Sequence, residues 1–224
     1  MASVLCIGHR GAKGYMPENT LPSFQYAMDL GCDWLELDVY SVEDELLVIH
    51  DKRVDRTTDG HGLIEELKLD YLRSLDAGNG AKIPTLTEVL DLVNGKCGIN
   101  VELKGRNTAL PVSELLSNYA WSAEKVLLSS FDHEELARTD SQYRRGALFE
   151  KLITNRWKQA ERLAAWSVNF YFRNVTRDLV DEAHQHGYKV LVYTVNAIED
   201  IQLMLDCGVD GIFSDYPDRV LKFA

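Results

Sequence analysis

Residues Trp34–Val39, which read WLELDV, form one of eight short apolar stretches that decide the fold of this chain. Several stretches are rich in β-branched residues, and most are separated by segments with helical spacing, so they predict strands that alternate with helices. Eight such units in 224 residues give about 28 residues each, the dimension of a small α/β TIM barrel, (β/α)8. The predicted strands are Val4–Gly8, Trp34–Val39, Ile99–Leu103, Val126–Ser130, Gly146–Phe149, Ser167–Phe170, Val190–Val195 and Gly211–Ser214.

An open doubly wound sheet is the alternative to a closed barrel. In dinucleotide-binding members of that class, a GxGxxG turn follows the first strand. Here Gly8, Gly11 and Gly14 lack that spacing, which favours the barrel.

One segment interrupts the alternation of strands and helices. Leu46–Ile49 predicts an extra short strand, after which residues 51–82 carry turn signals and an amphipathic patch at Ile64–Leu75. We interpret about residues 51–82 as a small subdomain inserted after the second strand. No low-complexity linker separates it, so residues 1–224 are predicted to form a single domain.

Composition excludes several classes of function. The net charge of −11 and the pI near 5.0 argue against nucleic-acid binding and against adsorption to anionic membranes. Met1–Gly8 is too short for a signal peptide, and no apolar run approaches the roughly 20 residues of a membrane span. We therefore expect a cytoplasmic protein without stable membrane association. A homodimer is an open option for its quaternary state.

The four cysteines are spread along the chain without a CxxC pair. This spacing makes a zinc site improbable and indicates reduced structural thiols. The residues concerned are Cys6, Cys32, Cys97 and Cys207.

Three carboxylates at strand ends predict a metal site. Glu36 and Asp38 are separated by one residue, so in a strand both point to the same side. In an apolar run they would repel and desolvate each other without a cation. Glu102 adds a third oxygen ligand from the next barrel strand, and such a set suits Mg²⁺ or Ca²⁺. Ordinary salt bridges are the alternative reading.

Four further ionisable residues lie at the same ends of the strands, where the active sites of barrels form. His9 and His50 predict a proton-transfer pair, because imidazole changes its charge near neutral pH. Arg10 can present a planar fork to phosphate. Lys104 either neutralises the carboxylates or contacts a phosphoryl oxygen. The histidines predicted to lie on the surface are His61, His133, His184 and His186.

An ordered set of motifs resembles the glycerophosphodiester phosphodiesterase family. The motifs follow the family order from residue 8 to residue 218, nearly the whole chain. Each fragment alone is common, but the ordered set is highly specific. The motifs are His9–Gly11 with Pro17–Thr20, Glu36–Val39, His50-Asp51 with Arg56–Thr58, Ile83–Leu86, Glu102–Lys104, Ser130-Phe131, Tyr193–Asn196 and Asp210–Pro217.

The resemblance implies a barrel with an inserted subdomain that cleaves small-molecule glycerophosphodiesters to an alcohol and sn-glycerol 3-phosphate. Either water or the glycerol hydroxyl next to the phosphate would be the nucleophile. The implied roles are metal binding for Glu36, Asp38 and Glu102, acid/base catalysis for His9 and His50, and phosphate binding for Arg10 and Lys104.

Two departures from the family pattern concern the rim and wall of the site. Only Asn79–Lys82 separates Leu75–Gly78 from Ile83-Pro84, a shorter stretch than in many bacterial relatives, and Tyr193 stands where the family often has tryptophan. Both affect substrate preference rather than the core chemistry. Two other functions stay open: a phospholipase acting on lysophospholipids, which would need an apolar groove, and a noncatalytic phosphoryl-ligand sensor, which would be expected to lack a histidine.

Overall fold

In the computed structural model, which describes residues 4–223, eight parallel strands close into a barrel. The eight barrel strands are β1 Leu5–Gly8, β2 Trp34–Val42, β4 Gly98–Leu103, β5 Val126–Ser130, β6 Arg144–Phe149, β7 Ser167–Tyr171, β8 Lys189–Tyr193 and β9 Gly211–Ser214, and β3 Glu45–Val48 is an additional strand that pairs antiparallel with β2. Closure is established by β1, which pairs in parallel with both β2 and β9. The predicted TIM barrel is therefore confirmed.

Helices with clear sequence signals surround the barrel. Thr20 caps the first helix, because its side chain accepts from the Ser23 N–H, a common role of threonine before the first turn of a helix. Gly208 ends another helix in the left-handed conformation, with φ of +86°. The helices are α1 Leu21–Leu30, α2 Leu69–Ser74, α3 Leu86–Val93, α4 Ala109–Ser117, α5 His133–Ala137, α6 Arg156–Arg162, α7 Arg177–Gln185, α8 Ile198–Cys207 and α9 Pro217–Leu221.

Three strand boundaries differ from the prediction by two or three residues, and several others differ by one. β2 continues to Val42 rather than Val39, because its last residues pair with β3. β6 begins at Arg144 rather than Gly146, because its backbone pairs with β5 regardless of the polar side chains at its start. β8 ends at Tyr193 rather than Val195, although the Val195 N–H still donates to the Phe213 carbonyl at 2.9 Å. Apolar runs thus located the strands but not their ends.

The two faces of the barrel strands carry side chains that belong to different apolar clusters. On β2, Leu35 and Leu37 belong to the main apolar cluster that strands and helices share. Trp34 belongs instead to a small separate cluster with Ile7 and Phe213. A Cβ on Gly98 would lie 2.3 Å from the Trp34 ring, so this glycine makes room for the indole. Apolar side chains therefore fill the barrel at the start of the strands, and polar groups occupy the other end.

The predicted insertion builds its own apolar cluster beside the barrel. β3 pairs antiparallel with β2 through a two-residue turn, and residues 53 and 63 then form an isolated bridge before α2. The cluster is Val42, Leu47, Ile49, Val54, Ile64, Leu72, Leu75, Ala77 and Ile83. The limits of this segment as a subdomain stay a prediction.

Candidate active site

Three carboxylates lie together at the carboxyl ends of two neighbouring barrel strands. Glu36 and Asp38 lie on β2, and Glu102 lies on β4 as the register partner of Asp38. One oxygen from each residue lies within 4.8 Å of the other two. Glu36 and Asp38 are buried and Glu102 is half-buried. The structure therefore brings together the three residues predicted to bind a metal.

The electrostatics of this cluster are unfavourable without a cation. Burial, with the charges of Asp38 and Glu102, raises the pKa of Glu36 well above its usual value. Burial and Asp38 raise the pKa of Glu102 to about 7. Asp38 Oδ1 is buried and accepts no hydrogen bond, which is costly for a carboxylate. The oxygen-only donor set and this unpartnered atom fit a hard divalent cation.

Two cationic side chains approach the same carboxylates. Lys104 Nζ donates to Glu102 Oε1 at 2.8 Å and lies 3.8 Å from Asp38 Oδ1. Arg10 Nε lies 3.3 Å from Asp38 Oδ2. Burial alone lowers the pKa of Lys104 and of Arg10, but the nearby carboxylates outweigh it and raise both pKa values. Both side chains therefore stay charged and can attract an anion.

Arg10 has an unusual backbone conformation just beyond β1. Its φ of +51° is left-handed, and its N–H donates to Glu36 Oε2 at 2.8 Å. Gly11 follows with φ of +82°, and a Cβ there would lie 2.5 Å from Ser23 Oγ. The backbone at Gly11 therefore approaches Ser23 of α1 closely and leaves no room for a side chain. Left-handed backbone at a non-glycine residue is a feature that often accompanies functional sites.

Two histidines face the same site, and an aspartate holds each of them. His9 Nδ1 lies 2.6 Å from Asp215 Oδ1, and His50 Nδ1 lies 2.6 Å from Asp51 Oδ1. An ionised carboxylate can only accept, so Nδ1 carries the proton in both pairs. Nε2 of each ring is then the nitrogen available for proton transfer to or from a ligand.

The two Nε2 atoms have neighbours of opposite charge. His9 Nε2 lies 4.0 Å from Glu36 Oε2, whereas His50 Nε2 lies 3.3 Å from Lys104 Nζ. Burial lowers the pKa of both histidines, against the opposing influence of nearby carboxylates. The neutral imidazole is therefore favoured at each position in the ion-free site.

A cavity of about 180 Å³ lies at the mouth of the barrel. Its lining includes His9, His50, Arg10, Lys104, Glu36 and Glu102. Phe131 and Tyr193 form part of its wall, with edge-to-face rings whose centroids lie 5.9 Å apart. Tyr193 is fixed by its hydroxyl, which donates to the Phe149 carbonyl at 2.9 Å. A groove of about 450 Å³ adjoins this cavity and shares Phe131 and Leu148 with it. The site is thus open toward the loops after β5 and β6.

Sequence reasoning gave no role to several residues that the structure places in the site. Asp215 and Asp51 hold the two histidines, and Asn19 Nδ2 donates to Asp38 Oδ2 at 2.9 Å. Asp51 had a visible signal, since it follows His50 directly. Asn19 appeared only within the Pro17–Thr20 motif, and Asp215 only within the Asp210–Pro217 motif. The partner of Asp215 lies 206 residues away.

The remaining histidines only partly follow the prediction. His61, His184 and His186 are exposed, as expected. His133 is half-buried instead, with Nε2 3.0 Å from the Leu148 carbonyl oxygen. A helical position alone does not reveal which face of a helix is covered, and here that face packs against β6.

Comparisons with known proteins agree with this geometry. The Glycerophosphoryl diester phosphodiesterase family profile matches residues 9–219. A glycerophosphodiester phosphodiesterase of Caldanaerobacter subterraneus subsp. tengcongensis is 35% identical, covering 97% of this chain and 96% of that protein. One from Bacillus altitudinis is 33% identical, covering 96% and 95%. The solved structure of an Oleispira antarctica phosphodiesterase in complex with its product sn-glycerol-3-phosphate matches with a TM-score of 0.92, at 30% identity over 97% and 95% of the two chains.

Fold and site together define a barrel enzyme with an acidic cluster able to hold a metal and a pair of histidines beside it. The chain belongs to the glycerophosphodiester phosphodiesterase family, and the resemblance seen in its motifs is confirmed. Within residues 4–223, no helix is long and apolar enough to cross a membrane.

Proposed function

We propose that this enzyme hydrolyses glycerophosphodiesters, such as glycerophosphocholine or glycerophosphoethanolamine, to an alcohol and sn-glycerol 3-phosphate. One observation carries the proposal: two aspartate-held histidines face a single cavity that is also lined by two carboxylates and two cations, and a third carboxylate, Asp38, lies within 4.8 Å of the other two. The bound sn-glycerol-3-phosphate in the Oleispira antarctica enzyme supports this product. No nucleic acid and no stable membrane association are required.

Arg10 and Lys104 are the proposed phosphate-binding residues. The planar guanidinium of Arg10 can contact two phosphoryl oxygens at once, whereas Lys104 contributes a compact point charge. Both are already ion-paired with Asp38 or Glu102. A phosphodiester would therefore enter a site whose positive groups are held in place before binding, which reduces the ordering cost of recognition.

His9 and His50 are the proposed acid/base pair. One Nε2 accepts the proton of the attacking oxygen as the new P–O bond forms. The other, protonated beforehand, donates to the leaving alkoxide as its P–O bond breaks. Such transfers are each worth about 10²–10⁴ in rate. The aspartates keep both rings oriented and favour the tautomer that exposes Nε2.

Glu36, Asp38 and Glu102 are the proposed ligands of one divalent cation, Mg²⁺ or Ca²⁺. When bound, such an ion supplies positive charge that stabilises a phosphoryl group in its transition state. It also neutralises a cluster whose buried carboxyl groups otherwise have raised pKa values.

The adjoining groove favours a polar leaving alcohol over an acyl chain. Its lining carries four charged side chains, Glu134, Glu150, Lys151 and Arg162, beside the apolar Phe131, Leu148, Phe149, Ile153 and Leu163. An acyl chain would desolvate these charges without compensating hydrogen bonds. A lysophospholipid is therefore the less favoured substrate, and the cavity beside the groove suits small water-soluble diesters.

A product assay tests the proposal. The enzyme is given glycerophosphocholine, glycerophosphoethanolamine and a lysophospholipid, and glycerol 3-phosphate and free head groups are quantified with and without chelator. We expect glycerol 3-phosphate from the first two substrates and none after chelation. Undiminished turnover after exhaustive chelation would reject the metal role. Faster cleavage of the lysophospholipid than of both diesters would overturn the substrate class.

A further inference from the structure

Glu18 is a buried carboxylate that three cations approach, one of which is the proposed phosphate-binding residue Arg10. Arg10 Nη1 donates to Glu18 Oε1 at 2.6 Å, and Arg56 donates through Nη1 and Nη2 at 2.8 Å to both oxygens. Lys13 Nζ lies 3.8 Å away. Only 8% of the Glu18 side chain is exposed. Glu18 therefore connects the proposed phosphate-binding arginine to a residue of the inserted segment.

Arg56 continues this connection to the second histidine. Its Nε donates to Asp51 Oδ2 at 2.5 Å, and the other oxygen of Asp51 receives Nδ1–H of His50 at 2.6 Å. One guanidinium thus bridges two carboxylates, one behind Arg10 and one behind His50. The planar fork of arginine suits such a bridge, because its donors are fixed relative to each other.

A neighbouring arginine shows that this arrangement differs from an ordinary surface ion pair. Arg53 also lies in the inserted segment, but its Nε and Nη2 donate to the exposed Asp55. Exposed pairs of that kind contribute little. Removing Arg56 would instead leave the buried charge of Glu18 with fewer partners and would free one side of Asp51.

We propose that Arg56 and Glu18 are positioning residues. They hold the side chains of Arg10 and His50 in fixed positions relative to each other across the cavity. The inserted segment then contributes to catalysis by positioning. Its Arg56 guanidinium links Glu18, which contacts Arg10, to Asp51, which contacts His50. This inference rests on the proposed function for the roles of Arg10 and His50. It adds that neither side chain keeps its orientation independently of the other.

Arg56→Ala, with Arg53→Ala as matched control, tests the inference. We expect kcat/KM for glycerophosphocholine to fall about 10- to 100-fold in Arg56→Ala, since a displacement near 1 Å can cost about 10²-fold. KM should rise and kcat should fall, because phosphate binding and proton transfer are both disturbed. Guanidinium ion at tens of millimolar, well below denaturing concentrations, should restore part of the activity. The kcat/KM of Arg56→Lys should lie between that of Arg56→Ala and that of the wild type.

The ring-nitrogen NMR resonances of His50 give a readout that needs no turnover. They should shift in Arg56→Ala and in Glu18→Gln and stay unchanged in Arg53→Ala. Wild-type kinetics and unshifted resonances in Arg56→Ala would overturn the inference, as would equal losses in Arg53→Ala. A loss that follows the melting temperature and resists guanidinium would also overturn it. Wild-type protein that cleaves no glycerophosphodiester would reject the proposed function instead, while the NMR comparison would still decide the positioning role.

Discussion

The His9–Asp215 and His50–Asp51 pairs share one geometry but are assembled differently. Each has 2.6 Å between Nδ1 and a carboxylate oxygen. The residues of the first pair are 206 positions apart and meet because the barrel closes, whereas those of the second are sequence neighbours. The His9 side chain is 12% exposed and the His50 side chain 28%.

The groups behind the two aspartates also differ. Asn196, just beyond β8, donates to Asp215 Oδ2 at 2.9 Å and accepts from the Asp215 N–H at 2.9 Å. Asp51 is held by the side chain of Arg56, which is 47% exposed. The first pair is therefore part of the barrel rim, while the second depends on Arg56 from the inserted segment. We expect the second pair to be the more sensitive to changes outside the barrel.

The largest effect is expected from removing the cation proposed at Glu36, Asp38 and Glu102, because both histidine pairs face the site that it would occupy. Exhaustive chelation should lower kcat/KM by about 10³- to 10⁵-fold, because charge stabilisation by such an ion is worth several kcal/mol. With the pKa of Glu102 at about 7, the ion-free carboxyl is protonated below neutral pH and must lose its proton to bind Mg²⁺. Affinity should therefore rise between about pH 5 and 7.

Calorimetry in two buffers of different ionisation enthalpy measures this proton release directly. Glu102→Gln serves as the matched variant. It removes one of the two carboxyl groups whose pKa is raised, so it should weaken the pH dependence, and the dependence that remains would come from Glu36. Mg²⁺ affinity that is the same at both ends of this pH range would contradict the prediction.

The next largest effect separates the roles of the two histidines. His9→Asn and His50→Asn should each lower kcat/KM for glycerophosphocholine by about 10²–10⁴. With an acidic aryl alcohol as leaving group, no proton donor is needed, so the variant that lacks the general acid should recover while the other should not. The exposed His61 supplies the control, His61→Asn, which should match wild type.

Product release measured with both substrates distinguishes the outcomes. Equal recovery of the two variants would mean that the histidines do not divide the acid and base roles. Wild-type activity of either variant, in protein shown to be folded, would remove that histidine from the mechanism.

A smaller effect is expected from replacing the two aspartates that hold the histidines, Asp215 and Asp51. Burial lowers the pKa of both histidines. Against it, the hydrogen bond that His9 donates to Asp215 is the strongest influence that raises the pKa of His9, whereas Asp51 is a minor influence on the pKa of His50. Asp215→Asn should therefore lower the pKa of His9 further than Asp51→Asn lowers that of His50. Both variants should lose about 10- to 100-fold in kcat, as orienting partners commonly do. NMR titration of the rings measures the pKa values, and a larger shift at His50 would reverse the comparison.

The smallest expected effect concerns the backbone of the second pair. The Tyr40 hydroxyl donates to the His50 carbonyl at 3.3 Å. Tyr40→Phe should cost about 0.5–1.5 kcal/mol of stability and change kcat/KM by less than about 10-fold. Denaturant unfolding and turnover measure the two quantities. Tyr119→Phe, which removes a hydroxyl bonded to Asp91 away from the site, is the matched control. A loss comparable to that of His50→Asn would show that this peptide positions the ring.

Much of the barrel could be predicted because its signals are local. Apolar runs located all eight barrel strands, and the i, i+2 spacing placed Glu36 and Asp38 on one side of β2. Strand ends were less accurate, as at β6, because pairing there depends on backbone hydrogen bonds rather than on side-chain polarity. The seven residues predicted for the site all lie at one end of the barrel. Their roles stay predictions.

The sequence by itself determined the alternation of elements, the side of each strand that its residues occupy and the neighbouring His50 and Asp51. All of these follow from periodicity or adjacency over a few residues. Tertiary structure decided which distant groups meet: Asp38 with Glu102 by strand register, His9 with Asp215 by barrel closure, and Glu18 with Arg56 by docking of the inserted segment. Such contacts depend on the three-dimensional path of the chain, which no local pattern records.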